Sequence, residues 1–92
     1  MKTIWKYEFD ISTLEMDKMI PEGSTLLDVQ IQKDSICAWF VVNPYNGLVN
    51  RKLKAYMTGG SFPDDCWNYV STVQLGGFVF HIFDYGENEK KL

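Results

Sequence analysis

Phe78-Val79-Phe80-His81-Ile82-Phe83-Asp84-Tyr85 is the stretch on which the fold turns. Successive strand side chains alternate sides, so Phe78, Phe80 and Ile82 point one way and Val79, His81, Phe83 and Tyr85 the other. Both faces are apolar, and both need a cover. In a chain of 92 residues that cover is a second layer of the same sheet, another copy of the chain, or a ligand.

Working outward, the same alternation recurs upstream. Thr3 to Ile11 sets Trp5, Tyr7, Phe9 and Ile11 against Ile4, Lys6, Glu8 and Asp10, and Thr25 to Lys33 sets Leu27, Val29 and Ile31 against Asp28, Gln30 and Gln32. Ile36 to Asn43 is apolar on both faces, with Cys37, Trp39 and Val41 opposite Ile36, Ala38, Phe40 and Val42. Leu48 to Thr58 carries Val49, Leu53, Ala55 and Met57 on one face, interrupted by Arg51, and Asn50, Lys52, Lys54, Tyr56 and Thr58 on the other. A fifth strand runs from Cys66 or Trp67 to Leu75. Lys33-Asp34-Ser35, Asn43-Pro44-Tyr45-Asn46-Gly47 and Gly76-Gly77 supply turn chemistry between these segments. Ser12-Thr13-Leu14-Glu15 fits a capping box, which predicts a short helix over residues 12–20, ended by Pro21-Glu22-Gly23.

These elements predict an all-β domain, or a mainly β one with one short helix: an antiparallel six-stranded meander that curves strongly or closes as a small barrel, plugged by residues 12–20. Residues 1–92 form one domain, with 86–92 as a frayed tail. Exposing the surplus aromatics invites association, so a homo-oligomer is expected.

Composition narrows the function classes. Apolar residues make up 46% and the formal net charge is −3, which excludes disorder and gives no global positive field for nucleic acid or an anionic membrane. The N-terminal residues lack the apolar run of an export signal and no stretch reaches membrane-spanning length, so a soluble cytoplasmic protein is expected. Cys37 and Cys66 read as structural thiols. Two cysteines and one histidine, widely spaced, make no zinc set, and no metal or cofactor is expected.

Among residues that carry chemistry, His81 is the lone histidine, and a buried strand makes it a core, interface or ligand-contact residue before a general base. No serine or cysteine lies in a nucleophile context, so an enzyme is not expected. Gly59-Gly60-Ser61 resembles a short anion nest, and Lys52, Lys54, Tyr56 and Thr58 run along one strand face into it. That corner is the expected ligand site, with Trp67 beyond the loop as a stacking residue and Trp39 as a further ligand or interface aromatic. A solvated lysine face and a plain glycine turn are the bland alternatives.

Ile4-Trp5-Lys6-Tyr7-Glu8, Trp39 with Asn43-Pro44, Thr58-Gly59, and Thr72-Val73-Gln74 through Val79-Phe80-His81-Ile82-Phe83 together resemble a family of small phage-encoded proteins of uncharacterised function. The resemblance spans most of the chain and implies a viral origin, with no catalytic residue to carry over. By analogy with phage proteins of similar size, it implies a non-enzymatic protein in the host cytoplasm that sequesters a small phosphorylated nucleotide immune signal. The alternative is an inhibitor of a host protein, or a virion accessory factor, that acts through its acidic surface or an exposed sheet edge.

Overall fold

The computed structural model describes residues 1–65 and 68–88. Alternating β-branched and aromatic residues fold into seven strands: β1 (Thr3–Glu8), β2 (Glu15–Pro21), β3 (Thr25–Gln32), β4 (Ser35–Val42), β5 (Leu48–Met57), β6 (Tyr69–Leu75) and β7 (Phe78–Asn88). They form two antiparallel sheets, ordered β1-β4-β3 and β2-β5-β7-β6. The all-β antiparallel class is as expected; the six-stranded meander, the barrel and the helix are not found. Among the described residues there is no helix, and hence none long and apolar enough to cross a membrane.

The helix expected over 12–20 is instead a turn followed by β2. The Ser12 N–H and hydroxyl both donate to Asp10 Oδ1, at 2.9 and 2.7 Å, so the hydroxyl that would cap a helix is spent backwards. Leu14 takes a φ of 56° and its N–H donates to Asp10 O at 2.8 Å, while the Asp10 N–H donates to Glu15 O at 2.7 Å. The chain reverses there. Met16 and Ile20, both fully buried, are four residues apart, a spacing that suits a helix and a strand equally. Pairing with β5 decides between them, setting Met16 opposite Leu53 and Ile20 opposite Val49. Pro21 closes β2 at a sheet edge, where proline is tolerated.

The meander fails at Asn43–Gly47, where the expected hairpin is absent because the loop is stitched elsewhere. Asn46 Nδ2 donates to Glu22 O at 2.9 Å and the Glu22 N–H donates to Gly47 O at 2.8 Å, binding the loop to the end of β2. The chain therefore passes from one sheet to the other, leaving β4 between β1 and β3 and β5 between β2 and β7. The Lys33-Asp34 and Gly76-Gly77 hairpins form as expected. Residues 86–88, expected in a frayed tail, extend β7, with Glu87 opposite Arg51 and Asn88 opposite Asn50. The rest of that tail, 89–92, and the Cys66 or Trp67 start of the fifth predicted strand lie outside the described residues.

The core lies between the sheets. Ile36, Ala38, Phe40 and Val42 of β4 face Leu53 and Ala55 of β5, Phe80 and Ile82 of β7, and Met16 and Ile20 of β2. Arg51, the interruption on the apolar face of β5, is 9% exposed within this layer. Its Nε and Nη2 donate to Asp84 Oδ1 and Oδ2 at 3.1 and 2.7 Å, its Nη1 donates to Ser24 O at 2.9 Å, and its guanidinium lies 5.2 Å from the centroid of the Phe40 ring. The fork is thus fully partnered, which is what makes a charge inside a core tolerable.

Two stability predictions follow from these contacts. Asp84→Ala strands the guanidinium, so urea unfolding should show a loss of about 3 kcal/mol, whereas Arg51→Met with Asp84→Leu should lose clearly less. In the β3–β4 turn, Lys33 and Asp34 sit at φ of 48° and 64°, a type I′ geometry that favours Asn-Gly. Lys33→Asn with Asp34→Gly should therefore raise stability by about 1 kcal/mol.

Candidate functional site

The outer face of the four-stranded sheet carries the residues of interest because β5 and β7 each turn one set of side chains away from the core. Lys54 lies opposite Phe83, and Tyr56 opposite His81; on the other side of β7, Phe83 faces Tyr69 and His81 faces Thr72. The loop after β5 then folds back over this face. The Thr58 N–H donates to Val79 O at 3.1 Å and the Gly60 N–H donates to Met57 O at 2.9 Å, closing a turn in which Gly59 takes a φ of 84°. A side chain at Gly60 would begin 3.1 Å from Met57 O, a tight contact that the turn would have to give way to accept.

The turn delivers Phe62 onto the sheet. Its ring centroid lies 4.9 Å from that of Tyr56 and 4.8 Å from that of Phe83, while Tyr69 stands 5.7 Å from Phe83 in an edge contact. The second apolar face of β7 thus receives part of its cover from the chain's own loop. Between the loop and the sheet lies a cavity of about 400 Å³, lined by Tyr56, Met57, Thr58, Gly59, Gly60, Phe62, Tyr69, His81 and Phe83.

His81 forms the polar centre of this lining. Its Nε2 is 2.7 Å from Thr58 Oγ1 and its Nδ1 is 3.0 Å from Thr72 Oγ1, which in turn is 2.7 Å from the Tyr69 hydroxyl. Hydroxyls donate or accept, so both ring nitrogens are partnered in either neutral tautomer. The Tyr56 and Tyr85 hydroxyls are hydrogen-bonded to each other on the same face.

Of the residues expected at the site, Tyr56, Thr58, Gly59, Gly60 and His81 come together in the lining. Lys52 and Lys54 stand beside it, each 3.5 Å from Glu15 Oε1, with Lys54 Nζ 5.5 Å from the centroid of the Tyr56 ring. Ser61 is exposed and is not part of the lining. Trp39 belongs to the other sheet, on β4 between Lys6 and Asp28, and is not brought to the cavity. Trp67 lies outside the described residues. The anion nest expected at Gly59-Gly60-Ser61 has one of its amides engaged, because the Gly60 N–H donates to Met57 O within the turn.

Sequence reasoning missed Met57, Phe62, Tyr69 and Phe83 as lining. Phe62 had a usable signal, being a lone large aromatic inside a Gly, Ser, Pro and Asp loop that follows a strand with an apolar neighbour to cover. Cys37 is a buried free thiol on the other sheet, and burial pushes its pKa up, away from reactivity. Among the described residues no group of three or more His, Cys, Asp or Glu side chains is placed to hold a metal ion.

The chain belongs to the family described as a domain of unknown function (DUF7352), whose model matches residues 1–92. No curated protein and no solved structure matches it.

Phe62 forms one wall of the open cavity and seats the loop on the sheet, so its removal has a measurable cost. Phe62→Ala deletes two ring contacts and should lower stability by about 2 kcal/mol in urea unfolding; an unchanged midpoint would show that the loop does not hold onto the sheet.

Proposed function

We propose that this domain is a non-enzymatic binding protein that holds the base of a phosphorylated nucleotide in the aromatic cavity, with the phosphates directed along β5 to Lys54 and Lys52. The observation that carries this reading is the composition of the lining. Tyr56, Phe62, Tyr69 and Phe83 offer ring faces and edges to a planar group, and His81 and Tyr69 supply polar atoms that a base edge would meet in exchange for their present bonds to the Thr58 and Thr72 hydroxyls. Stacking of a base on an aromatic side chain contributes about 1–3 kcal/mol, enough for several rings to give useful affinity.

The phosphate end falls to the lysines, whose charge suits it, while the Gly60 amide is already engaged by Met57 O. Lys54 already lies against the Tyr56 ring, one side chain away from the cavity, and its present partner Glu15 is shared with Lys52. A storage role is favoured over cleavage by the surroundings of His81, whose nitrogens both meet threonine hydroxyls and whose cavity, among the described residues, is lined by no carboxylate or thiol. The resemblance to phage proteins supplies the biological setting of the proposal: sequestration of a nucleotide immune signal in the host cytoplasm.

A panel of cyclic nucleotides and ADP-ribose derivatives tests it by thermal shift. A ligand present at about a hundred times its Kd adds about 2.7 kcal/mol to the folded state. Lys54→Glu should abolish the shift while leaving the unliganded protein folded, and the ligand should be recovered intact by chromatography. A flat response across the panel sinks the nucleotide reading, and a cleaved ligand sinks the storage role.

A further inference from the structure

We infer that β1 is a docking edge for a second copy of this chain, joining two three-stranded sheets into one of six strands. The inference is independent of the nucleotide reading and begins with the direction of the backbone groups. Phe9 lies one step beyond the Glu8–Cys37 pair, and its N–H donates to Ile36 O at 2.9 Å. Antiparallel bonding alternates along a strand, so Thr3, Trp5 and Tyr7 likewise bond to β4, while Ile4, Lys6 and Glu8 turn their N–H and C=O groups to the free edge. Asp10 obeys the same alternation, its N–H leaving the β4 side to reach Glu15 O.

The remaining sheet edges are guarded. β3 and β6 lie against each other, with the Ser71 hydroxyl donating to Val29 O at 3.1 Å, and β2 carries Asp17 and Lys18 and ends in Pro21. Edge β1 carries charges too, Lys6 and Glu8, but among the described residues no segment packs along it and no proline ends it, and it exposes Ile4 at 57% and Trp5 at 40%. Unpaired strand groups flanked by exposed apolar side chains are met by another strand, and charge selects the chain's own copy as that strand.

Of the two-fold registers of β1 against itself, the four centred on Ile4, Trp5, Lys6 and Tyr7 keep most of the strand paired, and three of these are disfavoured. Centring on Ile4 sets Lys2 against Lys6, centring on Lys6 sets that lysine against itself, and centring on Tyr7 needs the outward Asp10 groups already bonded to Glu15. Centring on Trp5 sets Lys2 opposite Glu8 of the second copy, twice by symmetry, pairs Ile4 with Lys6, and brings the two Trp5 rings together at the axis in the closer, non-hydrogen-bonded kind of pair.

Sedimentation equilibrium on the full chain tests this. The wild type should be a dimer, and Ile4→Pro should be a monomer with unchanged far-UV circular dichroism, because it deletes an outward N–H and leaves the β4 ladder whole. Glu8→Lys should weaken the dimer roughly tenfold, and adding Lys2→Glu should restore it, which keeps the test decisive if the proline variant does not fold. A wild type that stays monomeric at every soluble concentration overturns the inference, as does a double swap no tighter than the single one. So does a dimer that survives Ile4→Pro but is lost on Phe78→Ser, which would place the interface at the exposed Ile11, Met57 and Phe78 end of the molecule.

Discussion

The Arg51 fork on Asp84 is the contact on which the arrangement of both sheets depends. It joins β5 to β7 within one sheet, reaches the Ser24 carbonyl in the connection that returns the chain to the other, and lays its guanidinium on Phe40 from the opposite layer. Asp84 is equally committed, since its Oδ1 also accepts the Gly86 N–H at 2.8 Å. At that point β7 carries an extra residue against β5, and Gly86 adopts a φ of 79°, open to glycine at no steric cost. Asp84 faces inward by the alternation that also buries Phe80 and Ile82, and the bulge beyond it brings Glu87 opposite Arg51, with the Glu87 carboxylate accepting the Gly23 N–H at 2.6 Å. One ion pair thereby sets the β5–β7 register, the bulge and the connection between layers together.

The cavity inherits its geometry from that register. A strand that slips by one residue moves every side chain to the other face, so the placement of Asp84 against Arg51 is also what turns Phe83 and His81 outward toward Lys54 and Tyr56. The loop that closes the cavity contributes no strand of its own. It is held by two backbone bonds at the end of β5 and by the Phe62 ring seated between Tyr56 and Phe83. Rigid strands thus supply the floor and a short glycine turn supplies the wall, the usual division between a scaffold and the segment that binds.

Period-two patterning located the strands wherever one face was polar, although in Thr25 to Lys33 a bulge between Leu26 and Asp28 leaves Leu27 exposed and sets Leu26 against the core, and the turn residues located both two-residue hairpins. Sequence patterning failed where two structures share a signature. Met16 and Ile20 satisfy a helix and a strand alike, and the Ser12 hydroxyl that suggested a cap serves Asp10 instead. Asn43-Pro44-Tyr45-Asn46-Gly47 announced a turn but not its destination, because Asn46 bonds to Glu22, a residue 24 positions earlier, and no local pattern encodes such a partner. The site was legible as a corner of the fold and not as a chemistry. Tyr56, Thr58, Gly59 and Gly60 do meet, yet the Gly60 amide of the expected anion nest is taken by Met57 O, and the aromatic character of the cavity comes from Phe62, Tyr69 and Phe83, which distant segments bring together.

The apolar surplus of the chain divides between two solutions that do not compete. On β7 the outward residues are covered by an internal loop, so Phe83 and His81 are half-buried without any partner chain. On β1 the surplus sits at an edge, where Ile4 and Trp5 stay exposed beside unpaired backbone groups that no internal segment among the described residues reaches. The edge belongs to the three-stranded sheet and the cavity to the outer face of the four-stranded one, so joining two copies through β1 leaves each cavity open. On the proposed reading, ligand binding at this site would be a property of the single chain, and association through β1 would double the number of sites without building a new one between subunits.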